Sequence, residues 1–164
     1  RDLGKVYKVS GQNPSGRGTI TGTCEYQAVP AASAVALGTG CQNLVMSGLF
    51  PNDRPWLGST FDAQTTGLAN GSVALGLIGF QSYNIPLSSI FAVGGAGCTL
   101  YSGFDITVVL ANTGGTATMS LPLPMDPQFA GIKLYEQLLQ FQFTGANLTG
   151  FTSSNGLTLT LGMN

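Results

Sequence analysis

Asp53, Asp62, Asp105, Asp126 and Glu136 are the side chains in the body of this chain best suited to acid or base work, and they are scattered. Two carboxyl groups facing each other across a cleft are all that glycoside hydrolysis requires, one protonating the leaving oxygen and the other attacking or activating water. No two of these acids are close neighbours in the sequence, and no Asp-x-Asp-x-Asp-Gly loop suited to calcium is present. The 164 residues contain no histidine, so the side chain that titrates near neutral pH and most often ligates metals is missing. A serine nucleophile would have no imidazole to take its proton, and no Ser-x-x-Lys motif replaces one. The acids read as turn and surface residues, and the chain reads as non-enzymatic, with no cofactor and no metal.

The other chemically distinctive residues are few. Cys24, Cys41 and Cys98 cannot supply the four ligands of a structural zinc site. One disulfide plus one remaining thiol suits them better, and an odd cysteine in a secreted chain points to intermolecular pairing. Three reduced cysteines packed as small apolar residues are the plainer alternative. Trp56, the sole tryptophan, precedes Leu57-Gly-Ser-Thr-Phe61. It is either a platform on which a sugar ring stacks or a core residue at the start of a strand. Gly94-Gly-Ala-Gly97 has the glycines of a phosphate loop without its Lys-Ser/Thr, so it reads as a turn leading into Cys98. Asn70-Gly-Ser72 and Asn147-Leu-Thr149 have the sequon pattern and mark surface loops.

Charge is scarce and unevenly placed. Only 8% of residues are charged, against about 25% in an ordinary globular chain. Residues 1–20 carry Arg1, Lys5, Lys8 and Arg17 against Asp2 alone, while the rest carries Arg54 and Lys133 against six acids. A basic arm therefore precedes an acidic body, which argues against nucleic acid as a partner. Low repulsion between copies favours association, and a surface of Thr, Ser, Asn and Gln suits an extracellular address. No apolar run approaches the ~20 residues of a membrane span, and a secreted chain starting at Arg1 would have lost its leader.

The elements that must position these residues are strands. Glycine and proline divide the chain into short pieces with a period of two. Lys5–Val9, Thr19–Cys24, Phe104–Leu110, Thr116–Leu123 and Leu157–Leu161 all alternate, and Leu157, Leu159 and Leu161 share one face. Asn13–Gly16, Asn70-Gly71, Asn112–Gly115 and Asn155-Gly156 offer turn residues that tolerate positive φ. Leu134–Gln142 is the one segment that could pass for a helix, but a single long strand continuing to Phe143 suits its surroundings. The expected fold is an all-β, antiparallel β-sandwich, jelly-roll or Ig-like, of eight to ten strands over residues 19–164. Residues 1–18 form an N-terminal arm whose strand holds Lys5, Val6, Tyr7, Lys8 and Val9. Lys5, Tyr7 and Val9 share a face opposite Val6 and Lys8. The strand either edges its own sandwich or adds to the sheet of another copy.

From Leu37 onward the chain resembles an uncharacterised β-sandwich module of secreted proteins from planctomycete-type bacteria. The resemblance rests on Gly38-Thr-Gly-Cys41, Pro55-Trp-Leu-Gly-Ser-Thr-Phe61, Gly94-Gly-Ala-Gly-Cys98-Thr-Leu100, Leu123-Pro-Met-Asp-Pro127, Gly131-Ile-Lys-Leu-Tyr-Glu-Gln137 and Ser153-Ser-Asn-Gly-Leu157, in that order. It implies export, an all-β fold and no assigned activity. It also implies that Cys41 and Cys98 pair, and it favours Trp56 as a core residue. Cys24 lies ahead of the resemblance, leaving it the free or intermolecular thiol, with a Cys24–Cys41 bridge as the competing pairing. Closing the loop between Cys41 and Cys98 adds roughly 4 kcal/mol on the chain-entropy account.

Two functional expectations follow. The first is a non-enzymatic structural protein of the cell exterior that assembles into a filament, layer or matrix, the basic arm of one copy docking on the acidic body of the next. The second is a secreted carbohydrate-binding or adhesive module, with Trp56 as its platform.

Overall fold

The computed structural model describes residues 7–12, 19–24, 30–49 and 53–163, the first two stretches at the level of backbone pairing. Among the described residues the strands pair antiparallel, with isolated parallel bridges only at Trp56–Gly162 and Gly94–Phe151. The first two strands, β1 (Tyr7–Gln12) and β2 (Thr19–Cys24), form a ribbon of their own, with Tyr7 opposite Cys24 and Gln12 opposite Thr19. Of the arm residues, Tyr7, Lys8 and Val9 lie in β1, whereas Lys5 and Val6 fall outside the described residues. Thr19–Cys24, read from the sequence as the first strand of the sandwich, is the partner of the arm strand.

The body is built on a six-stranded sheet. Its order is β3 (Ser33–Leu37), β13 (Gly156–Thr160), β11 (Lys133–Thr144), β6 (Val73–Gly79) and β9 (Ile106–Leu110), with β12 (Asn147–Ser153) beside the second half of β11. A three-stranded sheet, β10 (Thr116–Pro122), β5 (Thr60–Thr66) and β4 (Val45–Gly48), packs on one face. Phe61, Ala63, Met46 and Met119 from the smaller sheet meet Ile78, Leu134, Leu157, Leu159 and Leu161 from the larger one. Leu157 and Leu159 of β13 and Leu161 just after it fill one core as their alternation requires.

A second layer covers the opposite face. The hairpin β7 (Ser82–Pro86) with β8 (Thr99–Ser102) lies over β11, and Leu87, Cys98 and Leu100 pack there on Leu77, Leu139 and Phe151. This explains why neither face of Leu134–Phe143 is clean in the sequence. The segment is one strand of 12 residues, buried on both faces at the centre of three layers. Among the described residues twelve strands start at or after Thr19, more than the eight to ten expected. The covering hairpin adds two, and the last strand of the sheet is broken into β12 and β13.

That break corrects a reading of the sequence. Asn155-Gly156 reads as a turn that tolerates positive φ, yet Asn155 is buried and Gly156 begins β13 without a positive φ. Strands β12 and β13 are successive halves of one path along β11, joined through Ser154 and Asn155. The Asn155 side chain accepts from Met46 N–H at 2.7 Å and donates to Met46 O at 2.9 Å, tying the kink to β4. The turns at Asn70-Gly71 and Asn112–Gly115 do form, with Gly71, Gly114 and Gly115 at positive φ as such tight connections require.

Candidate functional site

Three of the acids finish loops. Asp53 Oδ2 accepts from Asp62 N–H at 3.2 Å, Asp105 Oδ2 from Phe80 N–H at 2.8 Å, and Asp126 Oδ1 from Gln128 N–H at 3.0 Å. Glu136 overturns the expectation of a surface acid, being 0% exposed. Alternation along β11 sets it between Leu134 and Leu138, and its neighbours across the sheet are Ile78 and Leu157. Neither carboxyl oxygen has a hydrogen-bond partner among the described residues. Burial among apolar side chains pushes the carboxyl up from 4.5 to about 8, so it holds its proton at neutral pH. None of the clefts described below includes Glu136 in its lining. Among the described residues no group of three or more His, Cys, Asp or Glu side chains is placed to hold a metal ion.

Cys41 and Cys98 are joined by a disulfide with Cα atoms 5.1 Å apart. Both are buried against Leu139 and Phe151. Cys41 N–H donates to Ser153 O at 3.0 Å, and Ser153 N–H points back at the Cys41 sulfur at 3.3 Å. Beside the bridge, Gln137 closes the gap left by the β12–β13 break. Its Oε1 accepts from Tyr101 N–H at 2.7 Å, and its Nε2 donates to Thr99 O and Ser154 O, each at 2.8 Å. Gln140 plays the same part nearer the other end of β11, accepting from Ala69 N–H at 2.6 Å and donating to Thr152 Oγ1 at 2.9 Å. These buried amides are satisfied by fixed partners and serve architecture.

Trp56 is only partly buried, bridges to Gly162, and is not part of the lining of the clefts described below. Aromatic side chains do meet at a cleft elsewhere. An irregularity in β7 between Ser82 and Ile85 sets Tyr83 and Asn84 against Tyr101 of β8. With Leu37, Gly38 and Ser82 they line a shallow cavity of about 540 Å³. Gly38, at φ +64, lies so close to the Tyr101 ring that a Cβ there would overlap it. The two tyrosines are 18 positions apart, and only the pairing of β7 with β8 brings them together. A second open cleft, about 530 Å³, lies between β3 and β4 and is lined by Ala36, Val45, Ser47 and Asn155 among others.

The most unusual surface is the far edge of the large sheet. Strand β9, Ile-Thr-Val-Val-Leu, pairs with β6 on one side and with no strand among the described residues on the other. Ile106 is 49% exposed, Val108 41% and Val109 72%, and Phe80 and Phe104 beside them are more than half exposed. Phe80 and Ile106 also help line an apolar cleft of about 130 Å³ with Leu121, Pro124, Phe129 and Ile132. Edge strands normally carry lysine, proline or a bulge that discourages pairing with another chain. This one carries none, and Asp105 is the only charged residue between Asp62 and Asp126. That uncharged stretch is the signal in the sequence that could have pointed to the edge.

No helix among the described residues is long and apolar enough to cross a membrane. Comparison with family models, with curated proteins and with solved structures returns no match for this chain.

Proposed function

We propose that this chain is a non-enzymatic structural protein of the cell exterior that self-associates into a filament, layer or matrix. The observation that carries the reading is the uncharged, exposed edge strand β9 with its surround of Phe80, Phe104 and Val109. A row of unpaired main-chain donors and acceptors flanked by apolar side chains is a template for another strand. An exposed apolar patch of this kind marks an interaction surface. The Cys41–Cys98 disulfide suits an oxidising compartment, in keeping with the resemblance to a secreted module. Tyr7–Gln12 is paired with Thr19–Cys24, so a contact made by the arm would present a two-stranded ribbon.

Sedimentation and electron microscopy of the full chain over a wide concentration range test the reading. Concentration-dependent assemblies are expected. A chain that stays monomeric at millimolar concentration overturns it.

The cleft of Tyr83, Asn84 and Tyr101 favours a second reading, a carbohydrate-binding or adhesive module. Tyrosine faces stack on the CH face of a sugar, and the Asn84 amide and Ser82 hydroxyl offer polar contacts to its hydroxyls. The platform is then this cleft and not Trp56. Binding on a glycan array that disappears with Tyr83→Ala supports it, and no binding across the array ends it.

A further inference from the structure

The edge strand admits a specific partner: the same strand of a second copy. We infer that two chains pair antiparallel through β9 about a two-fold axis at Val108, fusing their large sheets into one. The inference rests on the self-association proposed above and names its mode.

Three observations select this partner. The first is register. In an antiparallel pair centred on Val108, Ile106 lies opposite Leu110 of the second copy and Thr107 opposite its Val109. Side chains directly opposite share a face of the sheet. Ile106, Val108 and Leu110 lie on the face of Ile78, Gly76 and Ala74, which is the face toward the three-stranded sheet. A two-fold axis normal to the sheet keeps that face, so both copies present their covering layers on the same side. Leu110 of the second copy then meets Ile106 beside the apolar cleft lined by Phe80 and Ile106.

The second is charge. Asp105, the one charged residue between Asp62 and Asp126 in the sequence, falls opposite Ala111 of the second copy and well away from its own symmetry mate. The paired strands themselves bring no like charges together.

The third is direction. The competing contact joins β9 to β3, the opposite edge of the same sheet, which is also apolar at Val35. Successive antiparallel steps from β3 through β13, β11 and β6 leave β3 and β9 pointing the same way. Copies repeated in the same orientation would therefore pair these strands in parallel, which is slightly less stable per residue. The pairing of β9 with itself is antiparallel and adds about four to six main-chain hydrogen bonds. It closes a dimer, so a larger assembly would use a second surface, and β3, which pairs with β13 alone among the described strands, stands at each end of the fused sheet.

Cysteine crosslinking reads the register directly. In a Cys24→Ser background, V108C is expected to give a covalent dimer under mild oxidation, because opposed Cβ atoms in this register lie ~5 Å apart. I106C in the same background is expected to give none, because Ile106 and its symmetry mate would be four residues out of register. Val109→Lys, at the most exposed position of the strand, is expected to weaken dimerisation at least tenfold in sedimentation equilibrium with an unchanged circular dichroism spectrum. Association that persists in Val109→Lys, with no crosslink at 108, overturns the β9 pairing and leaves self-association standing. A monomer under all conditions overturns both.

Discussion

Replacing Glu136 should stabilise this protein at neutral pH and remove most of its stability loss between mildly acidic and mildly basic conditions. In the unfolded chain Glu136 ionises near 4.5, whereas burial raises the folded-state value to about 8. Below pH 4.5 both states are protonated and the group costs nothing by titration. As pH rises from about 4.5 to about 8 the unfolded state releases a proton that the folded state keeps, so stability falls through that window and levels off above it. At pH 7 the difference is about two and a half pH units at ~1.4 kcal/mol each, or about 3 kcal/mol. Glu136→Gln, of nearly the same shape and unable to ionise, should gain most of that at pH 7 and nothing at pH 4. Glu136→Leu should gain roughly a further 1–3 kcal/mol at every pH, because both carboxyl oxygens lack partners in the core. The assay is urea unfolding from pH 4 to 9 in a Cys24→Ser background with the disulfide intact, so that no thiol titrates. The same fall in stability with pH in Glu136→Gln as in the parent would refute the reasoning, as would a Gln variant less stable than the parent at pH 7.

Two further outcomes follow from the buried seam around β11. Replacing both Cys41 and Cys98 with alanine opens a loop with a sequence separation of 57 and should cost about 4 kcal/mol on the chain-entropy account, seen as a lower urea midpoint that reductant no longer shifts. Gln137→Leu removes the side-chain partner of Tyr101 N–H and Ser154 O, while Thr99 O keeps the Ser153 hydroxyl, at a cost of about 2 kcal/mol or more. Faster hydrogen exchange at the Tyr101 amide would locate the loss, and unchanged protection there would count against the seam.

The strands were largely legible because their signals are local. Leu157, Leu159 and Leu161 alternate with threonines, and a half-buried strand needs nothing more than that period. Asn112–Gly115 was legible as a turn because its signal is local, glycines able to take positive φ and an Asn112 side chain that accepts from Gly115 N–H, although Asn112 is also tied to Ala69 and Ser72. Leu134–Phe143 is a strand, while its mixed faces became intelligible only once the sheet was seen to be covered on both sides. Asn155 misled for the opposite reason. Its type suits a turn, but the hydrogen bonds that hold it come from Met46, more than a hundred residues away.

The same division governs the functional surface. Composition alone set what this chain lacks and how weakly its copies repel, because residue counts do not depend on the fold. Alternation determined that the body is all β. Tertiary structure decided which acid is buried, since Glu136 differs from the surface acids only in what packs around it. It also decided which strand is the edge. Ile106–Leu110 alternates no differently from a central strand, and its exposure follows from a sheet order assembled by pairings far apart in the chain. Each such pairing is set by which apolar faces can be buried together, and that is a property of the whole molecule.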